Sequence, residues 1–258
     1  MNGASLIRTY ATAQNVGGRS AQCDATAVRT APTGARAYVL LDGIGSSRAV
    51  RDWTRRAAAS LARAAARRGD AEAGLRATYA AYAADPNRQD PYARAYMPSA
   101  AAVVAVTVPG KPLSVAWAGD SRAYLLRDGI AFRLTQDHNL RRVYPPTASH
   151  DGGNRNRITS YLGSSRTDEE VRELRDHPAI ETATAELTRG SRLLLASDGA
   201  YEPLADAGHD LFTELDGEPL ARTVRRFVDL AVTTARTQLP PDEHQYVDNA
   251  TALLADLA

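Results

Sequence analysis

The apolar run Leu193-Leu194-Leu195-Ala196-Ser197 ends on Asp198-Gly199, so a strand-like segment delivers a carboxylate followed by a residue with no side chain. Two further sites frame it. Leu40-Leu41-Asp42-Gly43-Ile44-Gly45 lies upstream, and Asp248-Asn249-Ala250-Thr251-Ala252-Leu253-Leu254 lies downstream, where the carboxylate precedes the apolar run. Hard divalent cations such as Mg²⁺ and Mn²⁺ take oxygen ligands. Three carboxylates at rigid strand ends therefore suggest a shared metal centre, and a Gly after Asp42 and after Asp198 lets the backbone approach whatever is bound. Each residue also has a plainer reading. Asp-Gly marks ordinary turns, as expected at Asp128-Gly129. Asp42 and Asp198 could serve as turn or helix-cap residues, and Asp120 could turn a hairpin with Ser121 and Arg122.

The elements that must position these groups come in blocks. Alternation and β-branched or aromatic content predict strands over 6–14, 24–30 and 37–41. Helices follow over 49–68, where Trp53, Ala57 and Leu61 recur at helical spacing, and over 71–84, with Leu75, Tyr79 and Tyr82 along one stripe. The Pro-containing stretch 85–98 reads as a loop. A dense β region comes next, with short antiparallel strands expected over 101–108, 113–118, 123–127 and 130–134, joined by tight turns at Pro109-Gly110 and Asp128-Gly129. The polar stretch 139–160 reads as an irregular flap. A central strand over 193–196, an amphipathic helix over 218–238 and a last strand over 250–257 complete the pattern. Strand blocks followed by helices, twice over, imply two sheets covered by helices. No internal repeat or linker divides the chain, so residues 1–258 are expected to form one domain.

Composition narrows the class. The chain has 258 residues, 44% of them apolar, enough for a sizeable core. Its 31 basic and 30 acidic residues leave a formal charge of +1, so nothing points to nucleic acid or an anionic membrane. A single cysteine excludes an internal disulfide and a thiolate zinc cluster. With no long apolar run and no basic-then-apolar N-terminus, a soluble, unexported, cytoplasmic protein is expected. Nearly every basic residue is Arg, and Ala is very frequent, which reads as codon bias. The five His are scattered without the spacing of a zinc site.

Taken together, Asp42-Gly43, Gly119-Asp120-Ser121-Arg122-Ala123-Tyr124-Leu125, Leu134-Thr135-Gln136-Asp137-His138, Leu195-Ala196-Ser197-Asp198-Gly199 and Asp248-Asn249-Ala250-Thr251 resemble, in order and rough spacing, the metal-dependent Ser/Thr protein phosphatases of the type 2C (PPM) family in its bacterial form. The resemblance covers nearly the whole chain. It extends to Arg19 and Asp24, since the family has an Arg followed four and five residues later by an acidic or amide residue and an Asp. The resemblance implies an α+β fold, a four-layer α-β-β-α sandwich of two antiparallel sheets flanked by paired helices, with a metal cleft at one end. It also implies hydrolysis of phosphoserine and phosphothreonine by a metal-activated water at a binuclear Mg²⁺ or Mn²⁺ centre, in a monomer whose partner is a phosphorylated protein.

Carried over residue by residue, Asp42 matches the carboxylate shared by both ions, Gly43 the carbonyl ligand, and Asp198 and Asp248 the remaining carboxylates of the second ion. Asp24 matches a carboxylate that orients water at the ions, Arg19 the phosphate-binding guanidinium, and Asp120 a ligand of a weaker third metal. The chain also departs from the family. Cys23 stands where an acidic or amide residue is usual, the loop after Asp42 reads Gly-Ile-Gly-Ser-Ser-Arg without the His common there, and the flap carries Arg141, Arg142, Arg155 and Arg157. These departures leave open a catalytically weak, phosphatase-like module that recognises a phosphoprotein, and a hydrolase of small phosphorylated metabolites is a weaker alternative. Asn249 is expected to organise the turn that presents Asp248, and His138 to support its loop.

Overall fold

The computed structural model describes residues 9–217 and 219–257. Among the described residues ten strands form two five-stranded antiparallel sheets. One runs β1 (Tyr10–Asn15), β10 (Ala250–Asp256), β9 (Arg192–Ala196), β6 (Arg122–Arg127), β7 (Ile130–Arg133); the other runs β2 (Ala25–Thr30), β3 (Arg36–Gly43), β4 (Ala100–Thr107), β5 (Leu113–Ala118), β8 (Glu181–Ala185). Helices α1 (Arg48–Arg68) and α2 (Ala71–Ala83) cover the second sheet. Helices α6 (Asp198–Asp206) and α8 (Leu220–Thr237) cover the first. The result is a four-layer α-β-β-α sandwich.

Why the strands read as continuous apolar runs is visible in β3. Tyr38 and Leu40 point between the sheets, against Val103, Trp117, Leu125, Leu195 and Leu253. Val39 and Leu41 point outward under α1, against Ala57, Leu61 and Val104. Both faces are buried, so alternation is lost. The alanines have a structural role as well: Ala57, Ala58, Ala62, Ala65 and Ala66 are buried where α1 meets the sheet and α2, and their small side chains allow that close packing.

Several elements differ from the sequence expectations. Strands β5 and β6 are not neighbours in one meander: β5 pairs with β4 and β8, while β6 pairs with β9 and β7. The Gly119-Asp120-Ser121 segment between them is a crossing from one sheet to the other. The stretch 85–98 holds a helical turn, α3 (Pro86–Gln89), capped by the Asp85 carboxylate on the Asn87 N–H, and a 3-10 turn over Ala93–Tyr96. The flap begins with α4 (Leu140–Val143), capped by Asn139. Helices α5 (Asp168–Arg175) and α7 (Leu211–Leu215) and strand β8 are absent from the sequence reading; β8 is a half-exposed edge strand, and α5 buries only Val171. The first expected strand began at residue 6 and the last helix at 218; residues 6–8 and 218 lie outside the described residues. Asp128 and Gly129, with φ of 53° and 80°, make the expected two-residue hairpin turn.

The crossing depends on Gly119. Its φ of 132° lies in the region L-residues avoid, and an added Cβ would sit 2.6 Å from Ala101 Cα. We expect Gly119→Ala to cost about 2–3 kcal/mol and to lower Tm by roughly 4–12 °C. Gly110→Ala, at φ 73° with nothing within 4 Å, should cost only about 1 kcal/mol of backbone strain. Equal melts for the two variants would refute the requirement for close approach at Gly119.

Candidate functional site

One end of the sandwich gathers every site residue singled out in the sequence. Asp42 stands near the end of β3, where Asp42 pairs with Ala101 and Gly43 with Ala100. Asp24 immediately precedes β2, Asp198 opens α6 directly after β9, Asp248 lies just before β10, and Asp120 occupies the crossing between the sheets. Asp24 and Asp120 form the floor, each almost fully buried; Asp42 and Asp198 are half-buried, and Asp248 is exposed at the rim. The Arg19 Nη2 donates to Asp248 Oδ2 at 2.8 Å, which completes the ring.

Local structure explains how each carboxylate is held. Ser197 is the N-cap of α6, yet its hydroxyl does not cap the helix. It donates to Asp24 Oδ2 at 3.2 Å and accepts from the Thr251 N–H at 3.0 Å. Asp198 instead occupies the first turn, where the helix dipole favours an anion, and its Oδ1 accepts from the Gly199 N–H at 2.6 Å. Gly199 is needed for packing, because a Cβ there would strike the Asn249 carbonyl oxygen. Asn249 organises the turn before β10: its Oδ1 accepts from the Cys23 N–H at 2.7 Å and its Nδ2 donates to the Val16 carbonyl at 2.9 Å.

The electrostatics are those of a cluster short of positive charge. Burial, and then neighbouring carboxylates, push Asp24 up to about 7 and raise Asp42, Asp120 and Asp198 above the usual carboxylate range. Oδ1 of Asp24 and Oδ1 of Asp120 are buried with no hydrogen-bond partner among the described residues. An orphaned buried acceptor costs about 1–3 kcal/mol, so these oxygens fit a cationic occupant. Among the described residues no three His, Cys, Asp or Glu side chains are yet closed around a single point as a finished ligand set. The donor set is all oxygen, which suits Mg²⁺ or Mn²⁺ rather than Zn²⁺.

Other residues assist that the sequence did not single out. Gln14 Nε2 donates to the Asp24 carbonyl at 3.0 Å and to Thr251 Oγ1 at 3.3 Å. Tyr201 donates its hydroxyl to the Asp120 carbonyl at 3.0 Å, beneath the Arg122 guanidinium stacked 3.8 Å over its ring. Gln22 Oε1 accepts from the Asp24 N–H at 3.0 Å. Cys23, by contrast, is fully buried, its thiol directed at the Ser47 carbonyl 3.6 Å away and pushed up by burial.

The His and the flap arginines are engaged elsewhere. His138 Nδ1 accepts from the Gly119 N–H at 3.3 Å, so Nε2 carries the proton and donates to Glu181 at 2.8 Å. His177 stacks on His138 at 4.3 Å and uses both ring nitrogens, on Thr159 and the Pro178 carbonyl. Arg142 binds Glu181, Arg155 binds Asp206 and Glu202, and Arg141 binds the Gly153 carbonyl. The flap arginines are therefore mostly the straps of the flap.

Residues 34–143 match the family model described as Protein phosphatase 2C. The serine/threonine protein phosphatase PstP of Mycobacterium tuberculosis is 29% identical over 158 residues, which is 60% of this chain and 27% of that protein, so the chain spans about a quarter of the curated relative's length. The serine/threonine phosphatase of S. agalactiae superposes with a TM-score of 0.72 at 20% identity, covering 96% of this chain and 99% of that one. The catalytic domain of PstP in complex with two manganese ions gives 0.61 at 23% identity, covering 96% of both chains.

Two outcomes are expected from this geometry. Asp24 has a folded pKa raised from 3.8 to about 7, so its share of stability is present below the unfolded value and lost as pH rises through about 7. In EDTA, Asp24→Asn should melt progressively higher relative to wild type as pH goes from about 5 to about 8, and Mn²⁺ should raise the wild-type Tm; parallel melting curves at every pH would place the burial penalty elsewhere. Cys23→Glu should fold less stably by several kcal/mol, because a carboxylate would enter a closed position. Thermal melts check this, and an unchanged Tm would mean that the position opens to the cleft.

Proposed function

We propose, from the premise that this chain belongs to the type 2C (PPM) family of metal-dependent Ser/Thr protein phosphatases, that it hydrolyses phosphoserine and phosphothreonine on proteins with Mn²⁺ or Mg²⁺. The observation that carries the reading is the convergence of Asp24, Asp42, Asp120, Asp198 and Asp248 at one end of the sandwich, with buried oxygens of Asp24 and Asp120 left unpartnered among the described residues. Five carboxylates so placed repel one another, and a binding module would have no use for the expense.

Asp42, the Gly43 carbonyl, Asp198 and Asp248 would hold a pair of divalent cations, with Asp120 and Asp198 at a weaker third position. When bound, such cations neutralise phosphoryl oxygens and acidify an attacking water. Arg19 lies at the rim with its Nε unpartnered among the described residues, and its planar fork suits two phosphoryl oxygens. Asp24 would orient the water, with the Ser197 hydroxyl holding its Oδ2 and its Oδ1 left without a partner among the described residues. The water oxygen bonds to phosphorus as the phosphorus–oxygen bond to the seryl or threonyl residue breaks, and the departing oxygen takes up a proton from solvent to leave as the hydroxyl, giving inorganic phosphate. The manganese held by the PstP domain supports the choice of ion.

Hydrolysis of a phosphothreonine peptide should require added Mn²⁺ or Mg²⁺ and stop in EDTA. Asp42→Ala and Asp198→Ala should each lower kcat by roughly 10²–10³-fold or more while keeping the wild-type circular dichroism spectrum. Full turnover in EDTA would sink the metal mechanism, and near-wild-type kcat in either variant at saturating metal would remove that residue from it.

A further inference from the structure

A polar cavity of about 330 Å³ opens beside the carboxylate cluster, between the 86–99 connection and residues 161–166. It adjoins the cleft through β4. Asp42 pairs with Ala101 and Gly43 with Ala100, and the Ile44 N–H donates to the carbonyl of Ser99, which lines the cavity. Ser99 is thus two residues, about 7 Å, along the strand from the partner of Asp42.

The charge in this cavity is of one sign. Arg88, Arg94 and Arg166 line it, and none of the described residues lining it is acidic. Arg88 is the floor: 2% exposed, 5.3 Å from the Trp53 ring and 5.7 Å from the Tyr82 ring, which pack against each other, with its Nη atoms on the Gly163 and Pro98 carbonyls. Among the described residues no carboxylate hydrogen-bonds to it, Asp85 acting on it only through space, and its Nε is unpartnered. The nearest acids along the chain are occupied, since Asp85 caps α3 and Asp90 accepts from the Tyr92 and Ala93 N–H groups. Asp168, across the α2–α5 contact, is held by Arg76 and the Ile180 N–H. Arg94 and Arg166 are exposed and form no ion pair among the described residues.

The rim adds a second feature. Tyr92 and Tyr96 are 84% and 90% exposed on the short turn that also carries Arg94, with Pro91 and Pro98 at either end. Exposed tyrosines beside arginines have the composition of a protein-recognition surface rather than of a pocket for a free anion.

From this arrangement we infer that the cavity of Arg88, Arg94 and Arg166, with Tyr92 and Tyr96 at its rim, is a docking site for an acidic polypeptide segment of the protein substrate. The proposal rests on reading the neighbouring cleft as a phosphoprotein hydrolase site. Carboxylates of the segment enter among the guanidiniums, which offer bidentate partners. Its backbone and apolar side chains lie across the tyrosines, while the phosphorylated residue reaches the cleft beside Ile44.

Fluorescence anisotropy with a labelled, unphosphorylated Asp/Glu peptide, in EDTA, separates this site from catalysis. Arg94→Glu/Arg166→Glu should weaken binding roughly tenfold or more, with turnover of p-nitrophenyl phosphate in Mn²⁺ unchanged. Arg63→Glu/Arg222→Glu, the same charge change on exposed helical faces, should bind as wild type does. Tyr96→Ala should also weaken the peptide. Equal losses in the two double variants, no loss in either, unaltered binding by Tyr96→Ala, or tighter binding of a single-stranded oligonucleotide than of the peptide would each overturn the proposal. A wild type that binds the peptide but never hydrolyses p-nitrophenyl phosphate would instead defeat the hydrolase reading and leave this surface standing.

Discussion

Mutual repulsion among carboxylates is the constraint around which this molecule is organised. Asp24, Asp42, Asp120, Asp198 and Asp248 come from five separate stretches of chain and feel one another at one end of the sandwich. Left to relax, such groups would turn outward to water. They are kept inward because each is fixed at or next to a strand end, and the strands are locked by an inter-sheet core of Leu40, Val103, Leu125, Leu195 and Leu253, all essentially without exposure. The apolar layers thus supply the rigidity, and the carboxylates use part of the stability those layers generate.

The helix that follows β9 illustrates the trade. A serine at an N-cap usually stabilises its helix by roughly 1 kcal/mol through its hydroxyl. Ser197 forgoes that bond and turns its hydroxyl to Asp24 and Thr251 instead. The opening residue of α6 is then Asp198, an acidic group that the dipole favours but that feels the other four carboxylates of the cluster. The flap is handled in the same way: Glu181 is drawn down to about 2 because Arg142 and His138 outweigh its burial, and this triad ties the flap to β8 and, through His138, to Gly119 beside Asp120. Flap and third carboxylate position are one mechanical unit.

Legibility in the sequence followed the range of the interaction. Asp42 and Asp198 stood out because an apolar run, a carboxylate and a glycine are consecutive residues, and the same run predicted the strands. The supporting groups were not readable because their roles come from pairing between distant strands. Gln14 faces Thr251 only through the β1–β10 register, and Ser197 reaches Asp24 across 173 positions. The sheet assignment of β5 and β6 failed for a related reason: adjacency in sequence and a short connection suggest a hairpin, while Gly119's backbone and the burial of Asp120 enforce a crossing. Alanine abundance looked like codon bias until the α1–α2 interface gave those residues a packing role.

Cys23 shows how a motif position and a side-chain role can part. In the family pattern its place belongs to a polar group near the ions, but here the thiol is sealed against the Ser47 carbonyl and its backbone N–H is held by Asn249. The residue before it supplies the amide: Gln22 Oε1 accepts from the Asp24 N–H, and Gln22 Nε2 donates to the Asn15 carbonyl at 3.3 Å. Support for Asp24 has therefore shifted from the side chain facing the site to one bracing its backbone. A brace of that kind keeps the carboxyl in place without adding a further acidic group to a cluster already crowded with them. The loss of the usual residue at Cys23 is thus a rearrangement of support around Asp24 and not a loss of support for the carboxylate cluster.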